Sequence, residues 1–165
     1  MAEHNLPAAL SVWETRIAQF WKTADAAEGD ALLTKMGSLR AQQPSHSPNV
    51  TYEMASVHDF IGSETAAIPL YREALANGLT EPRRSQAIIQ LASSLRLCGH
   101  LNEAIDVLHT QNVDKDVVGE AAAAFLALTL WESGNQEEAL RVSLAALAQG
   151  LPLYRNAVTR YAREL

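Results

Sequence analysis

The residue types best suited to chemistry in this chain are five histidines, one cysteine and a few acidic neighbours, and their spacing argues against a reacting centre. General acid–base work needs two groups converging on one atom, and His58-Asp59 is the adjacent pair that offers them. Neighbouring residues on a helix of 3.6 residues per turn point about 100° apart, so these two diverge. His58, His100 and His109 have no metal-ligand spacing, and Cys98 directly precedes a turn glycine, Gly99. No phosphate-cradling loop, dinucleotide fingerprint or nucleophile elbow occurs. The expectation is no catalytic residue, no metal and no cofactor; an enzyme or enzyme subunit would need a site that no motif marks.

The elements that would position these groups repeat along the chain. A glycine followed five residues later by a helical alanine occurs at Gly62/Ala67, Gly99/Ala104 and Gly134/Ala139, so the alanines are 37 and 35 residues apart. Each pair sits between two amphipathic stretches, and helix–turn–helix at a period in the mid-thirties predicts a solenoid whose units cannot bury their apolar faces alone. Ala74-Leu75-Ala76-Asn77-Gly78-Leu79 returns 72 residues later as Ala146-Leu147-Ala148-Gln149-Gly150-Leu151. Gly78 and Gly150 therefore both read as left-handed residues after a helix end.

Ahead of the repeats, Trp13, Ile17, Phe20, Trp21 and Ala24 recur at helical intervals, and Leu32, Leu33, Met36 and Leu39 form a second stripe after Gly29-Asp30. This predicts a helical hairpin that caps the solenoid, is a degenerate repeat or is itself an interaction site. Residues 42–50, with Pro44 and Pro48 among Ser, His and Asn, read as an exposed connector. Thr80 before Glu81-Pro82 reads as an N-cap, Pro69 as a kink inside one helix, and residues 117–132 as a single helix. After Pro152, the spacing of Leu153, Val158, Tyr161 and Ala162 predicts a terminal helix covering the last repeat. The expected divisions are 1–48, hairpin and linker; 49–151, three repeats; and 152–165, the covering helix, all in one domain.

These residues resemble the tetratricopeptide repeat family. The first copy carries the resemblance in Met54-Ala55, Gly62, Ala67-Ile68, Tyr71, Ala74-Leu75 and Pro82, with His58 at the usual first-helix tyrosine. The second carries it in Leu91-Ala92, Gly99, Glu103-Ala104-Ile105 and Leu108, with Gln111 at a usual small residue. The third carries it in Leu126-Ala127, Gly134, Glu138-Ala139-Leu140, Ala146-Leu147 and Pro152, with Ser143 in an aromatic slot. Thr51, Ile88 and Ala123 stand where the family has its first tryptophan. The resemblance implies an all-α fold: helix-turn-helix repeats in a short right-handed solenoid whose concave face is lined by each repeat's first helix. Carried over residue by residue, it points Tyr52, Ser56, Asp59 and Phe60 into that face. Gln86, Ile89, Ser93, Arg96 and Leu97 follow from the second copy, and Ala124, Leu128, Trp131 and Glu132 from the third. Aromatic and aliphatic side chains with a few charges suit the anchoring of a peptide's apolar side chains. The lysines and asparagines with which some members hold a terminal carboxylate are missing: Tyr52/Ser56 and Ile89/Ser93 occupy those slots. Arg83-Arg84 and Arg96 could draw an acidic ligand, or Arg83-Arg84 could pair with Glu81 or Glu53.

Composition agrees with this outline. The 165 residues fit one domain, and 28 alanines with 22 leucines favour packed helices over sheet. A net charge of −6 without a basic cluster argues against nucleic acid and anionic membranes as partners. Residues 1–7 lack the basic and apolar run of a secretory signal, and no stretch reaches the ~20 apolar residues of a membrane span, so a cytoplasmic protein is expected. The function these features predict is a protein-interaction adaptor or scaffold that takes a peptide or protein segment in its concave groove. A secretion-type chaperone, similar in size and layout, is the alternative. Partner identity and oligomeric state have no signature in the chain.

Overall fold

Four glycines set the ends of helices in the computed structural model, which describes residues 11–44 and 46–165. At Gly62, Gly78, Gly99 and Gly134 the backbone turns left-handed, with φ between 75° and 87°, and one pair of bonds recurs after each helix. At Gly78, its N–H donates to the Leu75 carbonyl at 3.2 Å and the Leu79 N–H reaches back to Ala74 at 3.1 Å. This double bond satisfies carbonyls that a helix end leaves free. Residues 1–10, on which the absence of a secretory signal was read, and Ser45 lie outside the described residues.

The helices are α1 (Val12–Lys22), α2 (Gly29–Arg40), α3 (Pro48–Phe60), α4 (Glu64–Ala76), α5 (Arg83–Leu97), α6 (Leu101–Thr110), α7 (Lys115–Val118), α8 (Ala121–Glu132), α9 (Gln136–Gln149) and α10 (Arg155–Arg163). Helices α3–α4, α5–α6 and α8–α9 are the three hairpins, stacked in order through α4 on α5 and α6 on α8. The structure is an all-helical repeat solenoid. Its first helices also adjoin one another, α3 to α5 and α5 to α8, while α10 packs on α9.

Small residues make this stacking possible. Ala67 and Ala104 are fully buried and Ala139 nearly so, each in the second helix of its hairpin, as the spacing predicted. Ala55, Ala67, Ala74, Ala87, Ala92 and Ala104 join Tyr52, Tyr71, Leu91 and Leu95 in one core across α3 to α6. A second core holds the N-terminal pair: Ile17, Phe20, Leu32 and Met36 close around Val57 of α3, flanked by Trp13, Trp21, Leu33 and Leu39. Burying Phe20 and Met36 contributes roughly 1.5–3 kcal/mol each. A smaller core of Leu126, Leu130 and Ala139 joins α8 to α9.

The structure departs from the sequence reading at four places. The connector is shorter than 42–50, because Pro48 opens α3 and Val50 is buried; a fixed φ and a missing N–H suit proline to a first helical position. Thr80 does not cap α5. Pro82 precedes its first residue without a side-chain bond, and the Glu81 carboxylate accepts from Ser85 N–H at 3.2 Å and Ser85 Oγ at 2.9 Å instead. Residues 117–132 are two helices, broken where Gly119 takes φ 59° and ψ −133°. Asp114 caps the short α7 by accepting the Asp116 N–H at 2.9 Å, and its own N–H donates to Ser85 Oγ at 2.7 Å, tying the turn to α5. Gly150 is right-handed at φ −89° despite its echo of Gly78; the chain reverses later, through Tyr154 at φ 65°. Ser56, expected to face the groove, is 5% exposed at its floor and accepts from the Tyr71 hydroxyl at 3.4 Å. Through Pro69, α4 runs unbroken.

Two stability outcomes follow. Gly78→Ala should cost about 1 kcal/mol, because a left-handed alanine is disfavoured by roughly 1–2 kcal/mol even though open space surrounds the new methyl. Gly150→Ala should leave urea denaturation midpoints essentially unchanged. Ala104→Leu should overpack the α5–α6 contact and lower stability by about 1–3 kcal/mol, read in the same titration.

Candidate functional groove

Glu53 is 2% exposed and is the acidic side chain around which the site is assembled. Its carboxylate accepts from Trp21 Nε1 of α1 at 2.7 Å and from Arg83 Nε of α5 at 2.8 Å. Arg83 then closes a two-bond fork onto Glu14 of α1, with Nη1 at 3.0 Å and Nη2 at 2.7 Å from the two oxygens. Helices α1, α3 and α5 are thus joined by one guanidinium between two carboxylates, geometry that favours arginine over lysine. Burial pushes the Glu53 carboxyl above its ordinary range, against the pull of the indole and guanidinium hydrogen bonds. For Arg83, burial pulls down but the bonds to Glu14 and Glu53 outweigh it, and the net direction is up.

Between these helices lies a groove of about 820 Å³. Trp21, Tyr52, Ile89 and Ile17 supply apolar wall, Phe60 and Leu97 stand at its rim 44% and 56% exposed, and Val118 and Ala121 contribute from beyond α5. Phe60 meets Trp21 edge to face, with ring centroids 5.7 Å apart. Tyr52 donates to Gln86 Oε1 at 3.2 Å, linking α3 to α5, and burial pushes its phenol up to about 12. Asp59 accepts from Ser94 Oγ at 3.0 Å and from the Tyr71 hydroxyl at 3.2 Å. Burial raises its pKa, those two bonds oppose the shift, and the charge of Glu64 adds to it. His58 is not among its hydrogen-bond partners, so the adjacent pair diverges as helical geometry requires.

The sequence-derived residues divide into two groups. Tyr52, Ser56, Asp59, Phe60, Gln86, Ile89 and Leu97 line the groove. Ser93, Arg96, Ala124, Leu128, Trp131 and Glu132 do not. Leu128 and Trp131 are more than half exposed on α8, and Arg96 is ion-paired with Glu132 across the second and third repeats. Arg83 takes Glu53 and Glu14, and Arg84 lies 3.7 Å from Glu81, so the internal pairing of these arginines, one of the two readings open in the sequence, is the arrangement present.

The repeat portion can now be compared with known proteins. A family model described as tetratrico peptide repeat matches residues 48–165. The chain belongs to that family. No curated protein and no solved structure matches it. Tetratricopeptide repeat membership supports a role in protein interaction. The matched segment begins with α3, so the α1–α2 pair lies outside it while α1 supplies a groove wall.

Sequence reasoning missed that wall: Glu14, Ile17 and Trp21, together with Glu53, Glu64, Pro82, Arg83, Gln90, Val118 and Ala121. The available signal was Glu53, one residue from Tyr52 on an apolar helix face, where a buried carboxylate demands a partner. Among the described residues, no three His, Cys, Asp or Glu side chains gather as a metal-holding group, and no helix is long and apolar enough to cross a membrane.

Arg83→Met should destabilise the protein by about 3 kcal/mol at pH 8, since it leaves a buried carboxylate without its cation. With its folded-state pKa raised, Glu53 contributes stability that is full below the unfolded carboxyl value and is lost as pH rises through the folded one. Removing Arg83 widens that window upward. The cost should therefore shrink between pH 8 and pH 5 in urea titrations; a cost constant with pH would count against the buried charge as its source.

Proposed function

We propose that this protein is a non-catalytic interaction adaptor that takes a segment of a partner protein in the groove between α1, α3 and α5. One observation carries the reading. Phe60 and Leu97 remain about half exposed at the mouth of an apolar groove whose floor is already ordered by the Glu53–Arg83 and Tyr52–Gln86 bonds. Exposed apolar side chains beside a concave, largely pre-formed surface are the arrangement that association buries most favourably. An ordered floor also lowers the entropic cost of binding. Leu128 and Trp131 add exposed apolar surface on α8, and the Arg96–Glu132 pair links the second and third repeats. In this reading the groove anchors the segment and α8 adds contacts to its continuation.

Affinity capture followed by calorimetry on the purified partner tests the proposal. Phe60→Ala and Leu97→Ala should each weaken binding by at least ~1 kcal/mol with helix content unchanged, and Trp131→Ala should have the smaller effect. Unchanged affinity in both groove variants alongside loss in Trp131→Ala would move the site to the α8 face.

A further inference from the structure

The groove's charge is the feature that the reading above does not use. Four carboxylates line it, from Glu14, Glu53, Asp59 and Glu64, against one guanidinium, from Arg83. Arg83 spends three of its five N–H donors on Glu14 and Glu53, and its charge is paired with both. Among the described residues, Asp59 and Glu64 have no ion-pair partner. They stand at the end of α3 and the start of α4, beside the exposed ring of Phe60. Ser94 and Tyr71 each occupy one acceptor position on Asp59, and an ionised carboxylate offers about four. Gln90, on the α5 side of the groove, holds a carboxamide oxygen that is buried with no hydrogen-bond partner. The unpaired charge of the groove is therefore anionic, from Asp59 and Glu64, and it is set next to an apolar rim.

Resting on the groove reading, we infer that the partner segment is cationic as well as apolar: an aromatic or branched aliphatic side chain packs against Phe60 and Leu97 while an adjacent lysine or arginine is held by Asp59 and Glu64. An acidic segment meets two unpaired carboxylates and, among the described lining residues, no cation free of an ion pair, which selects against it. Arginine, a planar donor fork that also stacks on aromatic faces, suits a carboxylate beside Phe60 better than lysine does.

Panning a random twelve-residue peptide library on the full chain tests this. Recovered peptides should be rich in Arg or Lys next to Leu, Phe or Trp, and poor in Asp and Glu. One such synthetic peptide, followed by fluorescence anisotropy, should lose at least about fivefold in affinity to the Asp59→Asn/Glu64→Gln double variant, and its binding should weaken less with added salt in that variant. Glu73→Gln/Asp106→Asn removes the same charge from exposed outer positions on α4 and α6. It should bind as the parent does; an equal loss there would reduce the effect to net charge and overturn the assignment. Peptides that depend on Phe60 but prove acidic or neutral would overturn the charge assignment and leave the groove standing. Recovery of no peptide sensitive to Phe60→Ala would overturn the groove reading itself. Circular dichroism of each variant separates lost binding from lost fold.

Discussion

A carboxylate taken out of water is tolerable only where donors surround it, and Glu53 imposes that condition on the N-terminal half of the molecule. It sits on the middle of α3, where the hairpin packs on the repeats, and its two donors come from opposite sides: the indole of α1 and the guanidinium of α5. Glu14 completes the arrangement by holding the far side of the same guanidinium. An apolar contact could have slid; a bidentate fork and an indole hydrogen bond cannot move far without leaving charge unpaired. The α1 wall, and with it the width of the groove, inherits its definition from this network.

The repeats obey a different constraint. Each hairpin must bring two helices close enough for buried alanines to meet neighbouring side chains, and each helix end must satisfy its carbonyls as the chain turns away. Left-handed glycine solves the second problem in the same way at four positions. Alanine solves the first at three. Because each hairpin touches chiefly its neighbours, the stack has two ends. At one, α1 and α2 close over Val57; at the other, α10 lies on α9.

These two constraints meet along the first helices. Tyr52 and Gln86 bond across neighbouring repeats, as do Asp59 and Ser94, so part of the polar capacity of the inner face is spent on register. Large apolar side chains stay open beside it: Phe60 and Leu97 by the groove, then Leu128 and Trp131 on α8.

Local chemistry was legible in the residues. Period, hairpins, glycine turns and buried alanines follow from patterns within a few dozen residues, because helix geometry converts spacing into facing; seven of the groove-lining side chains follow from the family resemblance carried over residue by residue. Tertiary contacts decided the rest. Gly78 and Gly150 stand in near-identical hexapeptides, yet only Gly78 is left-handed, since the chain after it must turn straight into the next hairpin while the chain after Gly150 reverses at Tyr154. The segment before the break at Gly119 is tied to α5 by a bond from Asp114 to Ser85, 29 positions away. Arg83 finds Glu14 across 69 positions, and no local pattern encodes a pairing at that distance. The residues along the chain were enough for a helical repeat of hairpins, because periodicity is a property of neighbours in sequence; only the folded molecule shows that the N-terminal hairpin walls the groove and that Arg83 is ion-paired within it, because charge pairing is a property of neighbours in space.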